Sequence, residues 1–197
     1  MQDLAPLIDI TASLEHVPLQ FQSAMCKIEQ DLDRYQRVIT ADRPDVIVEC
    51  GTWRGASARW FASFGVDVIT IDIERQQEAQ GDEDRITWIT GSSADLNVAA
   101  HVRDLVGDRR TMVVLDSDHS TEHVVAEISL YAPLVSPGCH LVVEDGIVRW
   151  MTEEDIVGSP LDAIEKLLVD DPTFTRDKEI ESLHSVSMYP CGWWIRK

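Results

Sequence analysis

Residues 46–57 read V-I-V-E-C-G-T-W-R-G-A-S, and the punctuation of that stretch decides the fold. Val46–Cys50 is a β-branched apolar run with the length of a buried strand. Gly51 and Gly55 bracket a turn, and a helical pattern then runs over 56–64. Strand, glycine turn and helix in that order form the first half of a βαβ unit. The same punctuation returns downstream. Strand-like runs lie at 66–71, 86–89, 112–115 and 141–143, with helix-like stretches at 94–106 and 122–134 between most of them. These strands are almost continuously apolar, as expected when helices cover both faces of a parallel sheet.

Upstream, Met25, Ile28, Leu32, Tyr35, Val38 and Ile39 recur at helical spacing, which predicts a helix over 22–40 that stops near Arg43-Pro44. Downstream, Ser159-Pro160 opens a helix through Ile164, Leu167 and Leu168, with Pro160 suited to its first turn. Strand candidates at 173–176 and 192–195 close the chain as a hairpin on the sheet edge. The expected architecture is α/β: a Rossmann-like three-layer sandwich whose seven-stranded, mostly parallel sheet ends in an antiparallel hairpin. Residues 1–44 form an N-terminal helical cap or lid, and 45–197 the ligand-binding domain.

Composition narrows the function. The 197 residues carry 17 Lys plus Arg against 35 Asp plus Glu, a formal charge of -18. Such a surface repels phosphate backbones and anionic lipid, which argues against nucleic-acid and membrane roles. With 44% hydrophobic residues the chain buries a real core. No apolar run reaches the 18 or so residues of a membrane helix, and M-Q-D-L-A-P-L-I-D-I lacks the basic and apolar regions of a signal peptide. Cys26, Cys50, Cys139 and Cys191 are widely spaced, which points to a reducing cytoplasm and away from zinc.

In open parallel sheets the ligand lies beyond the carboxyl ends of the strands, near the point where strand order reverses. Reading each strand's last residues yields Glu49, Asp72, Asp116-Ser117-Asp118-His119 and Glu144-Asp145, while the third strand runs into Gly91-Ser92-Ser93. Four of five strands end in an acid. The 51–57 turn is neither a Walker loop nor G-x-G-x-x-G, so its glycines admit a ligand other than a dinucleotide. Asp72, about 20 residues after Gly51, suits the two hydroxyls of a ribose. Asp116, Glu144 and Asp145 converge if the fourth and fifth strands are neighbours, and three hard oxygens suit Mg²⁺ or another hard divalent cation. The plainer alternative makes Asp116 and Asp145 helix caps. His119 or Asp118 is placed to take a proton from a bound hydroxyl. His101, His123, His140 and His184 have no such company and read as structural or surface residues.

The segments V-I-V-E-C-G-T-W-R-G-A-S-A, I-T-I-D-I, T-G-S-S-A-D, V-V-L-D-S-D-H-S and L-V-V-E-D together resemble the class I S-adenosylmethionine-dependent methyltransferases. The nearest subgroup is cephalosporin-hydroxylase-like, related to metal-dependent rhamnosyl and macrolide-sugar O-methyltransferases. The likeness continues through L-Y-A-P-L-V-S-P-G, P-L-D-A-I-E-K-L-L and G-W-W-I-R, covering about residues 20–197. It implies that Glu49 and the turn carrying Gly51, Thr52, Gly55 and Ser57 hold the methionine part of the cofactor. Asp72 would hold its ribose and Ser93 its adenine, with Asp116 completing the cofactor set. It further implies Asp116, Glu144 and Asp145 as metal ligands. His119 falls where catechol-type enzymes carry a catalytic lysine, and Asp118 where a sugar-methylating relative uses an aspartate base; both stay open. Ala56 replaces the usual second glycine of the turn, and residues 178–190 depart from the family wording.

The resulting expectation is Mg²⁺-assisted methyl transfer from S-adenosylmethionine to a small-molecule hydroxyl, on a sugar or a phenolic natural product. The alternatives are a metal-dependent hydroxylase, which would call for two histidines and one carboxylate on its metal, and a non-catalytic cofactor-binding module. A lid this short borrows cover from a neighbour, so a homodimer is expected.

Overall fold

The computed structural model describes residues 4–20, 23–76, 83–151 and 158–197. Five strands lie parallel: β1 (Val46–Cys50), β2 (Asp67–Asp72), β3 (Ile86–Thr90), β4 (Thr111–Leu115) and β5 (His140–Val143). Two more, β6 (Phe174–Arg176) and β7 (Trp193–Arg196), complete a sheet of order β3-β2-β1-β4-β5-β7-β6. β7 runs antiparallel to both neighbours, so the chain ends in the expected antiparallel pair, with β7 inserted between β5 and β6. The order reverses between β1 and β4, whose register sets Cys50 beside Leu115. Leu115 in turn pairs with Val143, so the segments after β1, β4 and β5 leave the sheet side by side.

Side chains of β1 and β4 alternate between two cores. Val46, Val48, Cys50, Val113 and Leu115 pack under α4 (Leu96–Val106), α5 (Thr121–Tyr131) and α6 (Pro160–Leu167). On the other face, Ile47, Met112 and Val114 pack with α2 (Glu29–Asp42) and α3 (Ala56–Ala62). Tyr35 of α2 sits edge-on to Trp193 and Phe61, with ring centroids at 4.9 and 5.3 Å. Such pairs add about 1 kcal/mol each beyond buried area. Trp193 and Trp194 are wholly buried, so both serve the core. Local chemistry sets the helix starts: Asp95 accepts from Asn97 and Val98 N–H, and Ser159 accepts from Asp162 N–H ahead of Pro160.

One expected element differs. The helix predicted over 22–40 begins at Glu29; Gln22 lies outside the described residues, and 23–28 are not helical. Cys26 has φ +52° and Ile28 is extended. The apolar spacing alone fits a longer helix, but buried side chains pull this segment inward, as the site shows below. Arg34 and Asp31 tie α2 to the segment before β7. The Arg34 guanidinium donates to the carbonyls of Ile180, Glu181, His184 and Val186. Asp31 accepts from Ser187 Oγ and Met188 N. Short helices α1 (Ile10–Gln20) and α7 (Lys178–Glu181) and two 3-10 turns, Ala132–Leu134 and Gly146–Trp150, complete the described structure, and no helix among the described residues is long and apolar enough to cross a membrane.

Candidate active site

Gly51 has φ +97°, and a Cβ there would sit 1.7 Å from the Asp116 carbonyl oxygen. Only glycine lets the ends of β1 and β4 meet this closely. The next turn is pinned from β2, because Trp53 N–H donates to Asp72 Oδ2 at 2.7 Å. Above these strand ends opens a cavity of about 790 Å³, within the usual range for small-molecule sites. Gly51, Thr52, Ser57, Asp72, Ser93, Asp116, Asp118, His119 and Asp145 all line it, as do Ala24, Met25 and Cys26 from the non-helical segment before α2. Among the described residues five non-glycine residues have positive φ, and three of them, Cys26, Trp53 and Asp145, border this space. Strained backbone of this kind collects at functional sites.

Three of the expected residues stand behind the wall. Gly55, at φ +74°, caps α3 under the Trp88 ring. Glu49 is fully buried; Thr70 Oγ1 donates to its Oε2 at 2.6 Å, and the Thr52 hydroxyl donates to Thr70 in turn. Glu49 Oε1 has no hydrogen-bond partner, and burial pushes the carboxyl up to about 7. Glu144 is the third, and its setting is electrostatic. Lys27 Nζ donates to both Glu144 oxygens, at 2.7 and 2.6 Å, and to Asp116 Oδ2 at 2.8 Å. The Tyr35 hydroxyl donates to Glu144 Oε1 as well. Burial opposes the Lys27 charge, but Asp116 and Glu144 outweigh it and raise its pKa. Glu144 itself is raised by burial and by the neighbouring Asp116 charge. Against the penalty of burial, Lys27 and His119 hold Asp116 down to about 2.

On the cavity side, His119 Nε2 lies 3.3 Å from Asp145 Oδ2 and 3.7 Å from Asp116 Oδ1. Neither contact is aligned as a hydrogen bond, so Nε2 is a buried polar atom without one. Burial would lower the imidazole, yet Asp145 and Asp116 raise it to about 9. Ligand atoms of Asp116, His119 and Asp145 all fall within 4.8 Å of one another. Two carboxylates beside an adjoining cavity fit a hard divalent cation with open positions, and the unsatisfied His119 Nε2 stands next to them. An ion reaching Glu144 would share that carboxylate with Lys27.

Asp118 is exposed, and hydrogen bonding from the Ser120 hydroxyl and from the Ser120 N–H, the latter to Oδ1 at 2.8 Å, holds its pKa down. It therefore works at the entrance of α5, while His119 faces the carboxylates. Two residues of the site, His123 in the cavity wall and Lys27 behind it, escaped the sequence reading. His123 shares a 2.9 Å hydrogen bond with Ser93 Oγ across the cavity wall; its spacing of one helical turn from His119 was the available signal. Lys27 had none, because its neighbours read as helix. His140, by contrast, is sealed between Asp42 and Asp177 at the amino end of β5.

Residues 19–197 match the family model described as Rhamnosyl O-methyltransferase/CmcI. A rhamnosyl O-methyltransferase of Mycobacterium tuberculosis is 31% identical over 183 residues, covering 86% of this chain and 74% of that one. A structure of CmcI with Mg and SAM superposes with TM-score 0.65 at 22% identity, over 88% of this chain and 73% of that chain. A structure of MycE, a methyltransferase from the mycinamycin biosynthetic pathway, in complex with Mg and SAH, gives TM-score 0.56 at 22% identity. It covers 68% of this chain, which spans 41% of MycE.

Proposed function

The chain belongs to the rhamnosyl O-methyltransferase/CmcI family of class I S-adenosylmethionine-dependent methyltransferases, and from that premise we propose that it methylates a sugar hydroxyl on a small molecule with the help of Mg²⁺. One observation carries the reading. Asp116 stands at the switch point of the sheet, in the wall of the cavity that Asp72 also lines, and its carboxylate gathers with that of Asp145 around the His119 ring, their polar atoms within 4.8 Å of one another. Cofactor and acceptor thereby share one edge of the sheet, where holding both in place supplies much of the rate. The rhamnosyl acceptor of the mycobacterial relatives favours a sugar over a phenol. The cluster's single histidine and two carboxylates are the reverse of an iron hydroxylase's set.

When bound, S-adenosylmethionine supplies the electrophilic methyl and a divalent cation supplies the Lewis acidity that lowers the acceptor's pKa. The chain's own residues do the rest. Asp72 would hold the ribose hydroxyls, Gly51 and Thr52 would border the methionine end, and Ser93 with His123 would border the adenine, all from the wall of one cavity. Glu49 acts from below the wall, fixing Thr70 and through it Thr52. Asp116 and Asp145 would offer the cation their oxygens, and Glu144, both of whose oxygens Lys27 already holds, would stand behind them. His119 takes the acceptor proton on Nε2, because Ser120 occupies the Asp118 carboxylate and holds its basicity down. The charges that favour imidazolium are Asp145 and Asp116; a cation held by those acids would offset them and favour the neutral ring that proton transfer needs.

The test is methyl transfer from labelled cofactor to a panel of rhamnosides and other glycosides, with Mg²⁺ or with chelator. Asp116→Ala should lower the rate by about a thousandfold or more while S-adenosylhomocysteine binding, measured by calorimetry, falls less than about tenfold. A panel showing no Mg²⁺-dependent product with any sugar defeats the proposal.

A further inference from the structure

Lys27 is a charged group that the proposed chemistry leaves without a task. It follows Cys26, whose left-handed backbone turns the chain inward ahead of α2, and its side chain is 1% exposed. A buried ammonium is costly unless its donors are met. Here three carboxylate oxygens lie within 2.8 Å of Nζ: Asp116 Oδ2, Glu144 Oε1 and Glu144 Oε2, one for each N–H. Tyr35 and Tyr189 face the same ammonium, their ring centroids 5.9 and 5.8 Å away. Lys27 is absent from the cavity wall, and of the four side chains that face Nζ among the described residues only Asp116 lines it. It can neither touch an acceptor nor deliver a proton to one. What it touches is the shared carboxylate: Asp116 gives Oδ2 to Lys27 and turns Oδ1 toward His119.

We propose that Lys27 is a positioning residue, the resident counter-ion of the Asp116–Glu144 pair, which keeps the acid cluster assembled before any divalent ion arrives and weakens that ion's binding by one unit of opposing charge. This rests on the reading that the cluster takes a divalent cation. Without Lys27, Asp116 and the nearly unexposed Glu144 face each other with no cation between them. The cluster then gains one net negative charge, and an added ion takes over the neutralising role. Like charges held by opposite oxygens of one carboxylate repel strongly at the low effective dielectric of a buried site. Loss of Lys27 therefore raises ion affinity while it lowers the stability of the ion-free protein. A lysine that merely packed would do the second and not the first.

Mn²⁺ alone serves as the probe, titrated by electron paramagnetic resonance into the full chain at one fixed pH, with melting temperature followed in EDTA and in saturating Mn²⁺. Lys27→Met should bind Mn²⁺ on the order of tenfold to a hundredfold more tightly than the wild type. It should melt lower in EDTA and recover in Mn²⁺. Lys27→Arg, which keeps the charge, should stay within about threefold of wild-type affinity. If Lys27→Met does not fold in EDTA, Lys27→Gln, neutral but still able to hydrogen-bond, carries the same expectation. Failure of both variants to fold even with Mn²⁺ present overturns the inference, since the ion must be able to replace the missing charge. Affinity in the folded variant equal to or below wild type also overturns it, and leaves the metal reading standing. Uptake by the variant but not by the wild type overturns it, since a native cluster that takes no ion has no ion binding for Lys27 to weaken. Uptake by neither defeats both.

Discussion

Asp72 and Glu144 are acids at the carboxyl ends of two strands in the same sheet, yet the molecule treats them in opposite ways. Asp72 borders the cavity, and its oxygens are held by the backbone N–H groups of Trp53 and Glu74. Glu144 stands behind the wall at 1% exposure, with an ammonium on both oxygens and a phenol on one. Backbone amides leave a carboxylate charged and able to take further donors, which is what a ribose asks of it. A buried ion pair consumes the charge and fixes the position. One end of the cavity edge is thus poised to bind and the other is held by its own counter-charge.

Three measurements would break or sharpen that contrast. The largest effect is expected at Glu144. Glu144→Gln keeps the size of the side chain but leaves Lys27 with a single carboxylate, and breaking a buried pair from one side costs about 3 kcal/mol or more. Urea unfolding in EDTA should show that loss; a change below about 1 kcal/mol would mean the pair is not structural.

The second effect comes from Glu49, a buried acid held by the Thr70 hydroxyl rather than by an ammonium or a backbone amide. Burial raises its pKa from 4.5 to about 7. The folded state therefore holds this proton more tightly than the unfolded chain does, and stability falls as pH rises from 4.5 to about 7, then levels off. The loss amounts to about 3 kcal/mol. Because other groups titrate in the same window, the informative quantity is wild type minus Glu49→Gln, which should carry that slope. A flat difference across the window would place the charge of Glu49 in a better-solvated setting than its burial indicates.

The smallest effect is Asp72→Asn, which should change unfolding free energy by less than about 1 kcal/mol. Its S-adenosylhomocysteine affinity, read by calorimetry, should nevertheless fall about tenfold, the worth of one charge-assisted hydrogen bond. A stability loss as large as that of Glu144→Gln would erase the distinction between the two ends.

Local pattern carried much of the fold. β1 was legible to the residue, and the remaining parallel strands to within one, because continuous apolar runs between helical stretches are the mark of strands covered on both sides. The glycine turn at 51–55 was legible for a similar reason: positive φ and close approach both demand glycine, and both are present at Gly51. Acids at strand ends could be listed before any coordinates, and most of them line the cavity. The same reading grouped Glu144 with Asp145 by adjacency, and it extended α2 back through Lys27.

The sequence by itself determined the α/β class, the glycine turn and which edge of the sheet would carry the acids, since each depends on periodicities and backbone preferences of neighbouring residues. Only the tertiary structure decided how those acids are shared. Lys27 meets Asp116 and Glu144 across 89 and 117 positions of chain, and it does so by abandoning the helix its neighbours favour. Glu49 sinks below the wall because Thr70, on the adjacent strand, donates to it. Burial and pairing fix which carboxylate binds, which one is held and which one titrates near neutrality, and both come from packing between segments that no local pattern connects.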